Sequence, residues 1–193
     1  MAPANFPIPA KTIFYGNILL VVCCIFYLIW WLLAFRPVNP VSGTGWLLLP
    51  AAIAGLASVI CITRGISAFG ARDVLIPSKV ILFGGLAAFV ILLAVTTLVF
   101  HRPVTTELFL IVGWCTMILS EVNALYGVDL FSRNAAVTLM VVILAAVVVS
   151  LVCYVLYYQL DARVGYYDGM VPLLMVACVT AAISVCMLVY SHK

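Results

Sequence analysis

The run NAAVTLMVVILAAVVVSLVCYVLYYQL, residues 134–160, holds 27 positions without one charged side chain. At 1.5 Å per residue a helix of about 20 residues crosses the hydrocarbon of a bilayer. This run exceeds that length, and it lacks the strict alternation of a barrel strand. Four more charge-free runs cover residues 12–35, 44–63, 80–100 and 169–191, and a sixth at 104–128 is interrupted only by Glu107 and Glu121. The six runs take 140 of 193 residues and leave 53 for tails and loops. Residues 1–193 are therefore expected to form a single polytopic membrane domain: an all-α integral membrane protein with six transmembrane helices in a compact bundle.

Composition agrees. Charged residues make up 8% of the chain and hydrophobic ones 67%, against about 25% charged in soluble domains, and the mean hydropathy is +1.33. Such a chain is neither soluble nor disordered, and it has few ionisable groups from which to build an enzyme. No Walker loop, GxGxxG, HExxH or GxSxG motif occurs. The seven cysteines all lie in the apolar runs without CxxC or Cys/His spacing, so they read as small hydrophobes. Two histidines, His101 and His192, are too peripheral for a haem. No cofactor, metal or catalytic set is expected, and no nucleic-acid face is present.

Orientation follows from the Lys and Arg on each side. With six spans, the tails and even-numbered loops hold Lys11, Arg64, Arg72, Lys79, Arg133 and Lys193, while the odd-numbered loops hold Arg36, Arg102 and Arg163. Six against three places both termini in the cytoplasm of a cell with the chain in its plasma (inner) membrane. The first span starts too long for a signal-peptide core, and residues 1–10, with Pro3, Pro7 and Pro9, read as an extended tail. Trp30, Trp31 and Trp46, with Tyr157, Tyr158, Tyr166 and Tyr167, read as interfacial anchors at the outer side.

Short internal matches suggest three helical hairpins. Arg36-Pro37-Val38 recurs as Arg102-Pro103-Val104, and the segment 67–75 resembles 123–131. Parallel repeats of this kind build some transporters. Small residues mark sites of close helix approach: Ala51 with Gly55, Gly84 and Gly85 with Ala88, and Ala177 with Ala181. The β-branched segment 137–149 is expected to face lipid. Pro50 and Pro172 either kink their spans or sit in the first turns. Asp168 reads as the N-cap of the last span.

Chemistry concentrates in the fourth span. Glu107, Trp114 and Glu121 recur every seven residues and so share a helical stripe. Glu121 falls roughly 10 Å from the midplane of a span centred near Trp114. A carboxyl at that depth normally faces the bundle interior or a wet cavity and is a functional candidate. Two readings of it are open: a proton acceptor or solute contact, and a structural partner of Arg64, which ends the second span at similar depth. Asn123 can add interhelical hydrogen bonds, and Glu107 lies nearer the outer surface.

The substrate or proton path is thus expected along Glu121, Asn123, Trp114, Glu107 and Arg64. The leading expectation is a small channel or transporter for a neutral or weakly charged solute, embedded in the lipid bilayer and able to form a homo-oligomer. An accessory subunit of a membrane complex is the alternative. A small intramembrane enzyme using Glu121, Asp161 or Asp168 as acid–base is the other.

Overall fold

A computed structural model of the chain describes residues 7–70, 74–99, 101, 105–157 and 160–190, with the side chains of 105–107 and 162 outside the description. Arg72, Arg102, Pro103, Val104, Tyr158, His192 and Lys193 consequently lie outside the described residues. Among those described, the elements are α1 (Ile8–Ala34), a 3-10 turn (Thr44–Leu47), α2 (Leu48–Phe69), α3 (Ser78–Leu98), α4 (Thr105–Gly127), α5 (Arg133–Tyr157), α6 (Ala162–Asp168) and α7 (Val171–Tyr190), with no strand. Six stretches are long and apolar enough to cross a membrane, the sixth made of α6 and α7 together. The chain is an all-α, multi-pass integral membrane protein.

The helix ends follow local chemistry. α1 begins at Ile8, four residues before the expected start, because Pro7 caps it and Pro9 fits the first turn. A proline there removes a donor that has no helical acceptor anyway. Part of the expected extended tail is thus helical. Pro50 and Pro172 also fall within the first turns of α2 and α7. α2 continues six residues beyond the expected end at 63 and stops at Gly70, whose φ of 72° lies in the left-handed region open to glycine. α4 is closed by Leu130 N–H donating to Leu125 C=O at 3.1 Å and Asp129 N–H to Tyr126 C=O at 2.9 Å.

The last span differs most from expectation. The short helix α6 precedes it, and the cap is Asp161, whose Oδ1 accepts from Val164 N–H at 3.0 Å. Asp168 is the final residue of α6 rather than an N-cap. The apolar run alone did not reveal that the polar stretch before it is helical too.

Consecutive spans pack in pairs: α1 on α2, α3 on α4, and α5 on both α6 and α7. α7 also packs on α1, and α5 on α4, which brings the pairs together. The α1–α2 contact is the most extensive. A Cβ added at Gly16 would lie 3.1 Å from Ile62 N, and one at Gly65 would lie 2.9 Å from Pro9 O, while one at Gly55 would meet Cys23 Sγ at 3.2 Å. These antiparallel matches show backbones approaching as only small residues allow. α4 is the central span, with 50% of its apolar window buried against 11% for α1 and α3.

The expected close approach at Gly84 and Ala88 is overturned, and the lipid-facing segment of α5 is narrowed. Gly84 and Ala88 are exposed, and a Cβ at Gly84 would meet nothing within 4 Å. The close approach is at Gly85, where an added Cβ would collide with Thr116 Oγ1 of α4. One residue is 100° of helical rotation, enough to turn Gly84 out. In α5, Val137, Val141, Val142, Val148 and Val149 are exposed, while Leu139, Met140, Ile143 and Ala146 are buried. The 137–149 segment therefore faces the apolar surroundings along one side only.

Candidate functional site

α4 buries the stripe Leu108, Ile111, Trp114, Ile118, Glu121, Val122 and Leu125. The spacings of three, four and seven are those of one helix face. Glu121 belongs to this face because its neighbours one turn away, Ile118 and Leu125, are fully buried apolar residues. Its carboxyl has no exposed surface. It lies six residues before the end of α4, a rise of ~9 Å into the span.

Its partner comes from the first span. Asn17, also with no exposed surface, donates from Nδ2 to Glu121 Oε1 at 2.6 Å. Asn17 is nine residues into α1, a rise of ~14 Å. Asn17 Oδ1 and Glu121 Oε2 are both buried and make no hydrogen bond. A carboxyl and a carboxamide thus meet within a bundle whose apolar core includes Ile13, Ile118, Val122 and Ile183. Hydrocarbon offers no water to replace a missing partner, so this polar contact is the costly and specific element of the bundle.

Arg64 is not that partner. Its side chain is exposed, and it sits on a flank of α2, outside the buried stripe Ala51, Ala54, Ser58, Ile62 and Gly65. At 100° per residue it is turned 200° from Ile62, which directs its long side chain outward, where it can reach the interface. The reading of Glu121 as the structural partner of Arg64 gives way to the Asn17–Glu121 hydrogen bond.

Asn123, 1% exposed, has a different task. Its Oδ1 accepts from Ile76 N–H at 3.1 Å and its Nδ2 donates to Ile76 C=O at 2.7 Å. Both backbone groups of Ile76 are thereby satisfied just before Pro77, the residue that caps α3. The α2–α3 connection is pinned to α4 in this way, and both amide atoms are committed to it. Trp114 is buried on the Glu121 face with its Nε1 lacking an acceptor. Glu107 is helical, and its side chain lies outside the described residues.

A groove of about 530 Å³ opens on another face of α4, between it and α2 and α3. Ser67, Gly85, Phe89, Phe109, Thr116 and Ser120 are among its lining, and Glu121 is not. Three of the wall hydroxyls bond to their own helices: Thr63 to Val59 C=O at 2.6 Å, Thr116 to Val112 C=O at 2.8 Å and Ser120 to Thr116 C=O at 2.8 Å. The groove wall is thus largely apolar in character.

At the opposite end of the bundle Trp31 is more than an anchor. Its Nε1 donates to Tyr166 C=O at 3.0 Å, and Tyr166 Oη donates to Leu32 C=O at 3.0 Å. The indole stacks on Phe35 with centroids 4.4 Å apart and fills the space over Gly169. These contacts tie α1 to α6. Trp46, by contrast, is 68% exposed, as an interfacial ring would be.

Asn17 was not singled out in the sequence reading. Its signal was present: a lone carboxamide in a 27-residue apolar helix requires a polar partner, and Glu121 was the buried group in need of one. Among the described residues no group of three His, Cys, Asp or Glu side chains converges to hold a metal. Family models, curated proteins and solved structures contain no match to this chain.

Proposed function

We propose that the chain is a small transporter that moves a neutral or weakly charged solute with a proton, Glu121 being the proton acceptor. The observation that carries this reading is a fully buried carboxyl, deep in the central span, whose hydrogen-bond partner is a neutral amide. A carboxyl kept only to balance a charge would sit against a cation. An intramembrane acid without one is a proton-relay or solute-binding candidate. Its enclosure favours a carrier, which exposes a site alternately, over an open channel. The cation asymmetry supports both termini lying on the cytoplasmic side, with the chain in the plasma membrane.

Flux in proteoliposomes tests the reading. Vesicles carrying the purified chain and a trapped pH-sensitive dye are challenged with gradients of small amides, polyols and weak acids. At least one such gradient should drive a lumenal pH change in the unmodified protein, and Glu121→Gln should abolish it while inserting normally. Equal responses in the two proteins would sink the proposal. A second reading, an accessory subunit, is favoured by α3, which packs on α4 and leaves most of its surface open. A stably co-purifying partner seated on α3 would support it.

A further inference from the structure

The geometry points to a cyclic acid–amide pair: when Glu121 carries a proton on Oε2, it and Asn17 join through two hydrogen bonds, which makes Asn17 the positioning residue for the bound proton. The second bond is readable from what the first leaves over. Asn17 Nδ2 already donates to Glu121 Oε1. The remaining oxygen of each group, Asn17 Oδ1 and Glu121 Oε2, is buried and without a partner.

With Glu121 ionised, both leftover atoms are acceptors and neither can satisfy the other. One proton on Oε2 converts it into a donor, and its natural acceptor is the amide oxygen of the same partner. A primary amide and a carboxylic acid each carry a donor and an acceptor on adjacent atoms, so they close a ring with nothing left unpaired. No other group is required, and the proton balance is one proton gained by the pair. Buried polar networks hold best when every member is satisfied.

The charged groups on the surrounding elements do not supply an alternative. Lys11 lies six residues nearer the start of α1, Arg64 is exposed on α2, Lys79 is exposed at the start of α3 and Arg133 is exposed at the start of α5. α6 carries Arg163, exposed, and Asp161 and Asp168 at its two ends, all toward the outer side. Residues 171–190 of α7 contain no Lys, Arg, Asp or Glu. The tyrosines Tyr126 of α4 and Tyr190 of α7 lie toward the inner helix ends.

This assigns a mechanical sense to protonation. α1 packs chiefly on α2 and α7, and α4 on α3, α5 and α2; the pair is a side-chain bond between α1 and α4. Proton binding doubles that bond, and proton loss reduces it to one bond beside two unpaired oxygens. The inference rests on the reading of Glu121 as the transported proton's acceptor, but the ring itself can be tested apart from transport.

Infrared difference spectroscopy of the whole chain in lipid nanodiscs, titrated with acid, is the test. A carbonyl band of a buried carboxylic acid should grow in, and its loss in Glu121→Gln assigns it. Asn17→Leu should move that band to the higher frequency of an unbonded acid. If Asn17→Leu does not insert, Asn17→Ser, which can offer one bond but not the ring, should shift the band in the same sense. A Glu121 band whose position ignores the residue at 17 overturns the ring. Flux that depends on Glu121 together with such a band keeps the transporter reading and removes the ring. An Asn17-dependent band in a chain without flux does the reverse.

Discussion

At the scale of single residues, the pair Asn17–Glu121 separates two kinds of substitution. Asn17→Leu removes the donor from a buried oxygen, an omission that costs about 1–3 kcal/mol. In a chain of this size each kcal/mol lowers Tm by about 2–4 °C, so a drop of several degrees is expected in a thermal-shift assay in detergent. Glu121→Gln presents a carboxamide to a carboxamide, keeps one bond and can add a second, and should leave Tm nearly unchanged. Arg64→Gln should also be nearly silent, since Arg64 is exposed and no bond to Glu121 depends on it. A large loss with Arg64→Gln, rescued by Glu121→Gln, would restore the ion pair that the helix phase argues against. Glu121 itself was legible in the sequence as a costly acid in an apolar span. Its partner was not, because finding it requires knowing which face of α1 meets α4, and α1 is too uniformly apolar to announce a face.

At the scale of helices, length and position were legible and rotation was not. Four of the six spans begin and end within four residues of the apolar runs, since charge is what hydrocarbon excludes, while the second runs six residues further and the sixth starts six residues earlier. Rotation about the axis depends instead on packing, and an apolar side chain is equally at home against lipid and protein. Gly84 and Gly85 show the consequence: adjacent in sequence, one is exposed and the other abuts Thr116. Leucine is a direct probe of such phase. Gly65→Leu would drive a side chain toward Pro9 O and Ile13, and overpacking of this kind costs about 1–3 kcal/mol or more. Gly84→Leu meets open space and should stay within about 0.5 kcal/mol. Folded yield measured by size-exclusion chromatography should therefore fall for Gly65→Leu and hold for Gly84→Leu. Equal yields would count against the α1–α2 packing described above.

For the whole molecule, the expected arrangement has consecutive spans alternating in direction with both ends on one side. In a background lacking the native cysteines, an impermeant thiol reagent added outside should label cysteines placed at Asn39 and Val164 but not at Ser132. Inverse labelling would turn the protein over, and labelling at all three would break the six-span arrangement. The packing of α7 on α1 also has a consequence for how the chain is made. Spans leave the ribosome in order, and α1 can settle on α2 at once because the two are neighbours in sequence. The bundle closes only when the last of the six spans reaches the first. Until then the α1 face that meets α7 is open, and the carboxyl that follows Asn17 three spans later enters a half-built enclosure. Biogenesis thus passes through a stage in which the polar pair is not yet fully enclosed, and a nascent chain halted before α7 should be the form that membrane quality control recognises.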